Sequence, residues 1–183
     1  MKNNIHFLSV VIPAYLKEKS IIQDLERAME VLDRIRYDYE IIVVVDGRED
    51  RTYENAKKIK SKKIKIIGYK NNKGKGYAVR YGMARTKGDL IAFIDAGMEI
   101  DPNGISMVLE HMEWYDADII VGSKRHPASQ VNYPRSRKII SWLYQLFVRL
   151  FTGLNVRDTQ AGLKIYKRRV LEAVLPRLAV KRY

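Results

Sequence analysis

Hydrophobic positions along this chain alternate between two spacings. Short runs that are almost wholly apolar occur at Leu8–Ile12, Glu40–Val45, Lys63–Gly68, Leu90–Ile94 and Asp118–Val121. Runs this short, rich in Val and Ile and nearly uninterrupted, predict strands covered on both faces. Between them the spacing becomes helical. Ile21, Leu25, Ala28, Met29 and Leu32 fall on one stripe, and further helices are predicted over 51–60, 76–85 and 103–114, the last just after Asp101-Pro102. Strand and helix in alternation predict an α/β fold: a Rossmann-like, mostly parallel sheet with helices on both faces. In such sheets ligands bind beyond the carboxyl ends of the strands, so the residues just after each strand carry the functional information.

Those residues are chemically rich. Pro13, Ala14 and Tyr15 follow the first strand, and Asp46-Gly47 with Asp50 and Thr52 follow the second. Asp95, Ala96, Gly97 and Glu99 follow the fourth, and Ser123, Lys124 and Arg125 the fifth. Asp and Gly are ordinary turn residues, but acidic clusters after both the second and the fourth strand exceed what turns require. Asp95 and Glu99 are oxygen ligands with no His or Cys nearby, a set suited to Mg²⁺ or Mn²⁺ rather than zinc. Asn72-Lys73-Gly74-Lys75-Gly76 precedes a helix and brings basic side chains toward the same rim. It lacks both the dinucleotide fingerprint and the Walker spacing.

Composition narrows the partners. The 183 residues suit one domain. Lys and Arg number 34 against 21 acidic residues, a net charge of +13, which attracts nucleic acid, anionic lipid or phosphorylated substrates alike. No nucleic-acid recognition motif accompanies the charge, so nucleic acid is not expected as a partner. There is no cysteine, which removes disulfides and thiolate metal sites. No window approaches the ~20 apolar residues of a spanning helix, and the first residues do not form a signal peptide. The expectation is a cytoplasmic protein, peripheral at the cytoplasmic face of the membrane.

Seven segments in order resemble glycosyltransferase family 2, within it the dolichyl- and polyprenyl-phosphate mannose or glucose synthases. They are SVVIPAY (9–15), EIIVVVDG with Asp50 and Thr52 (40–52), GKGYAVRYG (74–82), GDLIAFIDAG (88–97), VGSKR (121–125), RKIIS (137–141) and DTQAGLKIY (158–166). The resemblance implies a GT-A type nucleotide-sugar-binding fold forming a single catalytic domain over 1–183, short at its C-terminus. It implies a hexose donor (UDP- or GDP-linked), a polyprenyl phosphate acceptor and a membrane surface as partners, with Mg²⁺ or Mn²⁺ as cofactor.

Residue by residue, it implies donor contacts from Pro13, Ala14, Tyr15, Val44, Asp46, Asp95 and Ala96, with Lys124 on the donor diphosphate. Asp95 is the implied catalytic residue and, with Glu99, the implied metal ligand. Arg137, Ser141 and Lys164 match the acceptor-phosphate positions. The chain departs from the family pattern where Leu16-Lys17 replace Asn-Glu, where Val45-Asp46 replace Asp-Asp, where Arg48 replaces a serine, and where Gly97 replaces the second Asp of Asp-x-Asp. Residues 139–154 read as an amphipathic helix with aromatics and basic flanks, suited to a membrane interface.

Overall fold

The computed structural model describes residues 7–96, 103–122 and 163–178. Within them six strands form one sheet in the order β3-β2-β1-β4-β6-β5. The strands are β1 (Leu8–Ala14), β2 (Tyr39–Asp46), β3 (Ile64–Tyr69), β4 (Leu90–Ile94), β5 (Ile119–Gly122) and β6 (Leu163–Lys167). β1, β2, β3 and β4 pair in parallel, whereas β6 runs antiparallel to both β4 and β5. The sheet is therefore mixed at one side and parallel across its centre.

Apart from the C-terminal end of α2, the predicted strands and helices that fall on described residues lie within a residue or two of the observed ones, and β4 agrees at both ends. One strand escaped the pattern. β6, LKIYK, alternates apolar and polar residues over only five positions and closes the gap between β4 and β5. The expectation of strands buried on both faces holds for β1, β2 and β4 and fails for β3 and β5, which sit at the two edges with partly exposed side chains. An edge strand has one neighbour fewer to cover it.

Helices lie on both faces. α1 (Ile21–Leu32), α2 (Thr52–Ala56) and α4 (Asn103–Trp114) cover one face. There Ile21, Leu25, Leu32, Ala56, Ile105, Leu109 and Met112 pack with Leu8, Val10, Ile12, Ile41, Val43 and Ile94. α3 (Lys75–Met83) and α5 (Arg168–Val174) cover the other, where Ala78, Met83 and Leu171 meet Val11, Ile42, Val44, Ile91 and Phe93. The alternation of side chains along each strand assigns odd and even positions to the two cores. α3 approaches the sheet so closely that a Cβ at Gly82 would stand 2.5 Å from Val11 Cγ1 and 2.8 Å from Val44 Cγ2. α2 ends at Ala56, four residues short of its expected end, because Lys57, Lys58 and Lys60 continue with no apolar stripe to bury.

Candidate active site

The four parallel strands carry their C-terminal ends to one rim, and the polar residues collect there. Asp46 ends β2, Tyr15 follows β1 and Asp95 follows β4. β2 and β4 flank β1, so their ends lie roughly 10 Å apart, two strand spacings. That distance suits a ligand laid across β1.

The loop between β3 and α3 joins the two carboxylates. Asp46 is 3% exposed. Its Oδ1 accepts the Lys73 backbone N–H at 2.8 Å and its Oδ2 accepts Asn72 Nδ2 at 3.2 Å. Asn72 Nδ2 also reaches the Asp46 carbonyl at 3.3 Å. Gly47 turns the chain at φ +101°, and a Cβ there would lie 3.1 Å from the Asn72 nitrogen. Two residues beyond Lys73, at the start of α3, the Lys75 ammonium stands 2.8 Å from Asp95 Oδ1. It also lies 5.4 Å from the centroid of the Phe93 ring. Gly74, at φ +90°, makes the bend that lets α3 begin there.

Lys73 puts its side chain elsewhere: its ammonium lies over Tyr77 at 4.6 Å and Tyr69 at 5.4 Å. Tyr69, Tyr77 and Tyr81 form a contiguous ring cluster. Burial first, and then the adjoining Asp46 carboxylate, push the Tyr69 phenol well above its ordinary range.

The loop after β1 is fixed by the loop after β2. Thr52, fully buried, accepts the Lys17 backbone N–H on Oγ1 at 2.7 Å. Asp50 accepts the backbone N–H of Thr52 at 2.9 Å and of Glu18 at 3.1 Å. Glu18 accepts the Arg51 backbone N–H at 3.1 Å, and its carbonyl accepts Asn55 Nδ2 at 2.9 Å. Burial pushes the Asp50 carboxyl up, but hydrogen bonds from the Thr52 hydroxyl and from backbone amides outweigh it and hold the group below its usual range. Tyr15 is 42% exposed, and its hydroxyl donates to Glu49 at 2.6 Å. That hydrogen bond, ahead of smaller contributions, raises the Tyr15 phenol.

The expected site residues therefore divide. Tyr15, Asp46, Asp95 and Ala96 lie along the rim. Lys164 joins them: it pairs in register with Phe93 of β4, so its side chain shares the face on which Lys75 approaches Phe93. Pro13, Ala14 and Val44 sit deeper. All three are buried, Val44 under α3 and Ala14 in the opposite core. They can offer a ligand backbone atoms, not side chains. Glu99, Lys124, Arg137 and Ser141 lie outside the described residues, as do Gly97 and the helix expected over 139–154.

Sequence reasoning placed basic groups of the β3–α3 loop near the cleft but missed their division of labour. The Lys73 amide holds Asp46, and the Lys75 ammonium faces Asp95. It also missed that Asp50 and Thr52 fasten a loop rather than face a ligand.

The residues at Asp95 suit a divalent cation in part. Asp95 Oδ1 is buried and makes no hydrogen bond, Lys75 being within ion-pair range but out of line for one. A carboxylate oxygen at a rim, held by an ion pair rather than by hydrogen bonds, is a ligand type that suits a hard cation. Among the described residues no cluster of three carboxylate or imidazole groups accompanies it.

Comparisons with known proteins bear on the fold and the family. The dolichyl-phosphate beta-glucosyltransferase of Drosophila melanogaster is 32% identical over 192 residues, covering 96% of this chain and 59% of that protein. The dodecaprenyl-phosphate galacturonate synthase of Rhizobium johnstonii is 28% identical, covering 91% and 49%. This chain thus spans between about half and three-fifths of the length of these relatives. Mannosyl-3-phosphoglycerate synthase from Rubrobacter xylanophilus superposes with a TM-score of 0.67 at 21% identity, covering 91% of this chain and 55% of that one. The mannosyltransferase PcManGT from Pyrobaculum calidifontis, solved with GDP-Man and Mn²⁺, gives 0.64 at 16% identity, covering 94% and 47%. The fold is of the GT-A type. The description Glycosyl transferase family 2 matches residues 9–175, and the chain belongs to that family.

Proposed function

We propose that this chain moves a hexose from a nucleotide diphosphate sugar to a polyprenyl phosphate, working peripherally at the cytoplasmic face of a membrane. The observation that carries this reading is the convergence of Asp46, Asp95, Lys75 and Lys164 on one rim of the sheet. Relatives named for dolichyl-, dodecaprenyl- and undecaprenyl-phosphate acceptors support the acceptor class.

The chemistry follows from the charges. A phosphate acceptor is already anionic near neutral pH, its second pKa lying at ~6, so no side chain has to remove a proton before attack. The protein has instead to hold two anions together and stabilise the diphosphate that leaves. Asp46 and Tyr15 border the part of the cleft where a nucleoside would lie across the end of β1. Lys75, at the head of α3, meets the negative charge that grows on the departing diphosphate, aided by the free backbone amides of the first helical turn. Lys164 approaches from β6 on the acceptor's side; Arg137 and Ser141 are assigned to the acceptor phosphate by the family resemblance alone. Asp95 would hold Mg²⁺ or Mn²⁺ together with Glu99, and such an ion supplies charge neutralisation to a diphosphate. Alignment and charge stabilisation then account for the rate.

The test is direct. The protein is incubated with polyprenyl phosphate, Mg²⁺ or Mn²⁺ and labelled UDP- and GDP-sugars, and label is followed into the organic phase. Transfer from one donor is expected, and Asp95→Ala should abolish it. Undiminished turnover by that variant would place the chemistry elsewhere.

A further inference from the structure

The basic charge is not spread evenly. Residues 55–88 contain twelve Lys and Arg and no Asp or Glu. The other strongly basic stretch, 123–183, lies mostly outside the described residues. Nine of the twelve are lysines between Lys57 and Lys75, and all nine are exposed.

Topology puts eight of these nine along one edge of the sheet, while the ninth, Lys75, turns inward to Asp95. β3 is the outermost strand of the sheet. Lys57, Lys58, Lys60, Lys62 and Lys63 precede it, Lys65 lies within it, and Lys70, Lys73 and Lys75 follow it toward the donor rim. The row thus runs the length of the edge, roughly 20 Å for six residues of strand. Lys63 is partly compensated by Asp33 at 2.7 Å. The side chains of Lys58, Lys60, Lys62, Lys65 and Lys70 form no ion pair among the described residues. Guarding a sheet edge against strand pairing takes only an isolated charge or proline. A row this dense and this unpaired costs self-repulsion unless an anionic surface lies opposite.

The companions of the lysines identify that surface. Ile59, Ile64, Ile66, Tyr53 and Tyr69 are half-buried among them. Lys57, Ile59, Lys60, Ser61, Lys62 and Ile66 line an open groove of about 460 Å³. Short aliphatic side chains and tyrosines beneath cationic tips match a headgroup layer, apolar below and anionic above. A duplex would ask instead for an element that enters a groove.

We propose that the β3 edge is an electrostatic docking surface for an anionic bilayer. Seated on it, the protein holds its donor rim, which the row reaches at Lys75, beside the leaflet that presents the lipid phosphate. The benefit for catalysis rests on the function proposed above; the docking itself does not.

Co-sedimentation with vesicles tests it. The intact chain should bind vesicles containing about one-third phosphatidylserine and be released as NaCl rises from roughly 0.1 to 0.5 M. Pure phosphatidylcholine should hold little. Each lysine near an anionic surface is worth about fivefold in partitioning, so Lys58→Glu, Lys60→Glu and Lys62→Glu together should weaken binding by about 100-fold or more. In detergent, with a short-chain polyprenyl phosphate, the triple variant should turn over like the wild type. Loss of turnover with wild-type vesicle binding, equal binding to both vesicle types, or tighter salt-sensitive binding to duplex nucleic acid that the triple variant loses would each overturn the proposal. If neither protein transfers sugar but the vesicle difference stands, the transferase reading fails and the docking surface remains.

Discussion

Replacing Thr52 with Val tests whether the loop bearing Tyr15 is held from behind. The two side chains are nearly equal in volume, and position 52 is fully buried, so packing changes little. Two hydrogen bonds disappear. The Lys17 N–H, now bonded to Thr52 Oγ1 at 2.7 Å, is left part-buried without an acceptor, a loss of about 1–3 kcal/mol. The Asp50 carboxylate loses the Thr52 hydroxyl but keeps two backbone amides. Because water reaches Asp50, that loss adds only about 0.5–1 kcal/mol. Together they come to about 1.5–4 kcal/mol, or a melting temperature lower by roughly 3–16 °C for a chain of this size.

Acid should shrink the gap. The folded pKa of Asp50 is depressed, so the stability it contributes is present above its unfolded value near 3.8 and is lost as pH falls through the lower folded value. Urea titrations of both proteins at pH 7 and in steps below pH 4 measure this directly. Donor affinity, followed by calorimetry, should fall as well, although Thr52 need touch no ligand. A variant within about 0.5 kcal/mol of wild type at pH 7, or a gap that widens on acidification, would refute the clamp.

Other substitutions probe other parts of the argument. Asp46→Asn keeps one acceptor but turns an amide toward Asn72 Nδ2, so chemical denaturation should show a loss of about 1.5–3 kcal/mol. Gly82→Ala forces a methyl against Val11 and Val44 and should cost about 1–3 kcal/mol in the same assay. Leu16 has φ +51° and is 53% exposed; Leu16→Asn, better suited to that conformation, should raise stability by about 0.5–1 kcal/mol.

How far the sequence discloses this molecule depends on the range of the forces involved. Burial on both faces shapes β1, β2 and β4, so their apolar runs are visible without any partner. α4, with an amphipathic stripe, is predicted at both ends. β6 is different. Its lysines and Tyr166 alternate with Leu163 and Ile165, and only the gap between β4 and β5 makes five such residues a strand. In the site, Asp46 and Asp95 are legible because they follow apolar runs. Lys75 beside Asp95 is not, because that contact depends on how α3 turns at Gly74. Leu16 is legible as a departure from the family pattern. That its backbone still takes the left-handed conformation, which asparagine tolerates better, emerges only from the dihedral.

The antiparallel placement of β6 bears on how such a protein could change. Gly122, the last residue of β5, is the register partner of Leu163, the first of β6. Whatever lies between departs from and returns to a single point on the scaffold, beside the rim that carries Asp95. Closing a longer excursion costs only slowly more entropy as it lengthens. An excursion anchored in this way can lengthen or shorten while the pairing of β5 with β6, and of β6 with β4, stays as it is.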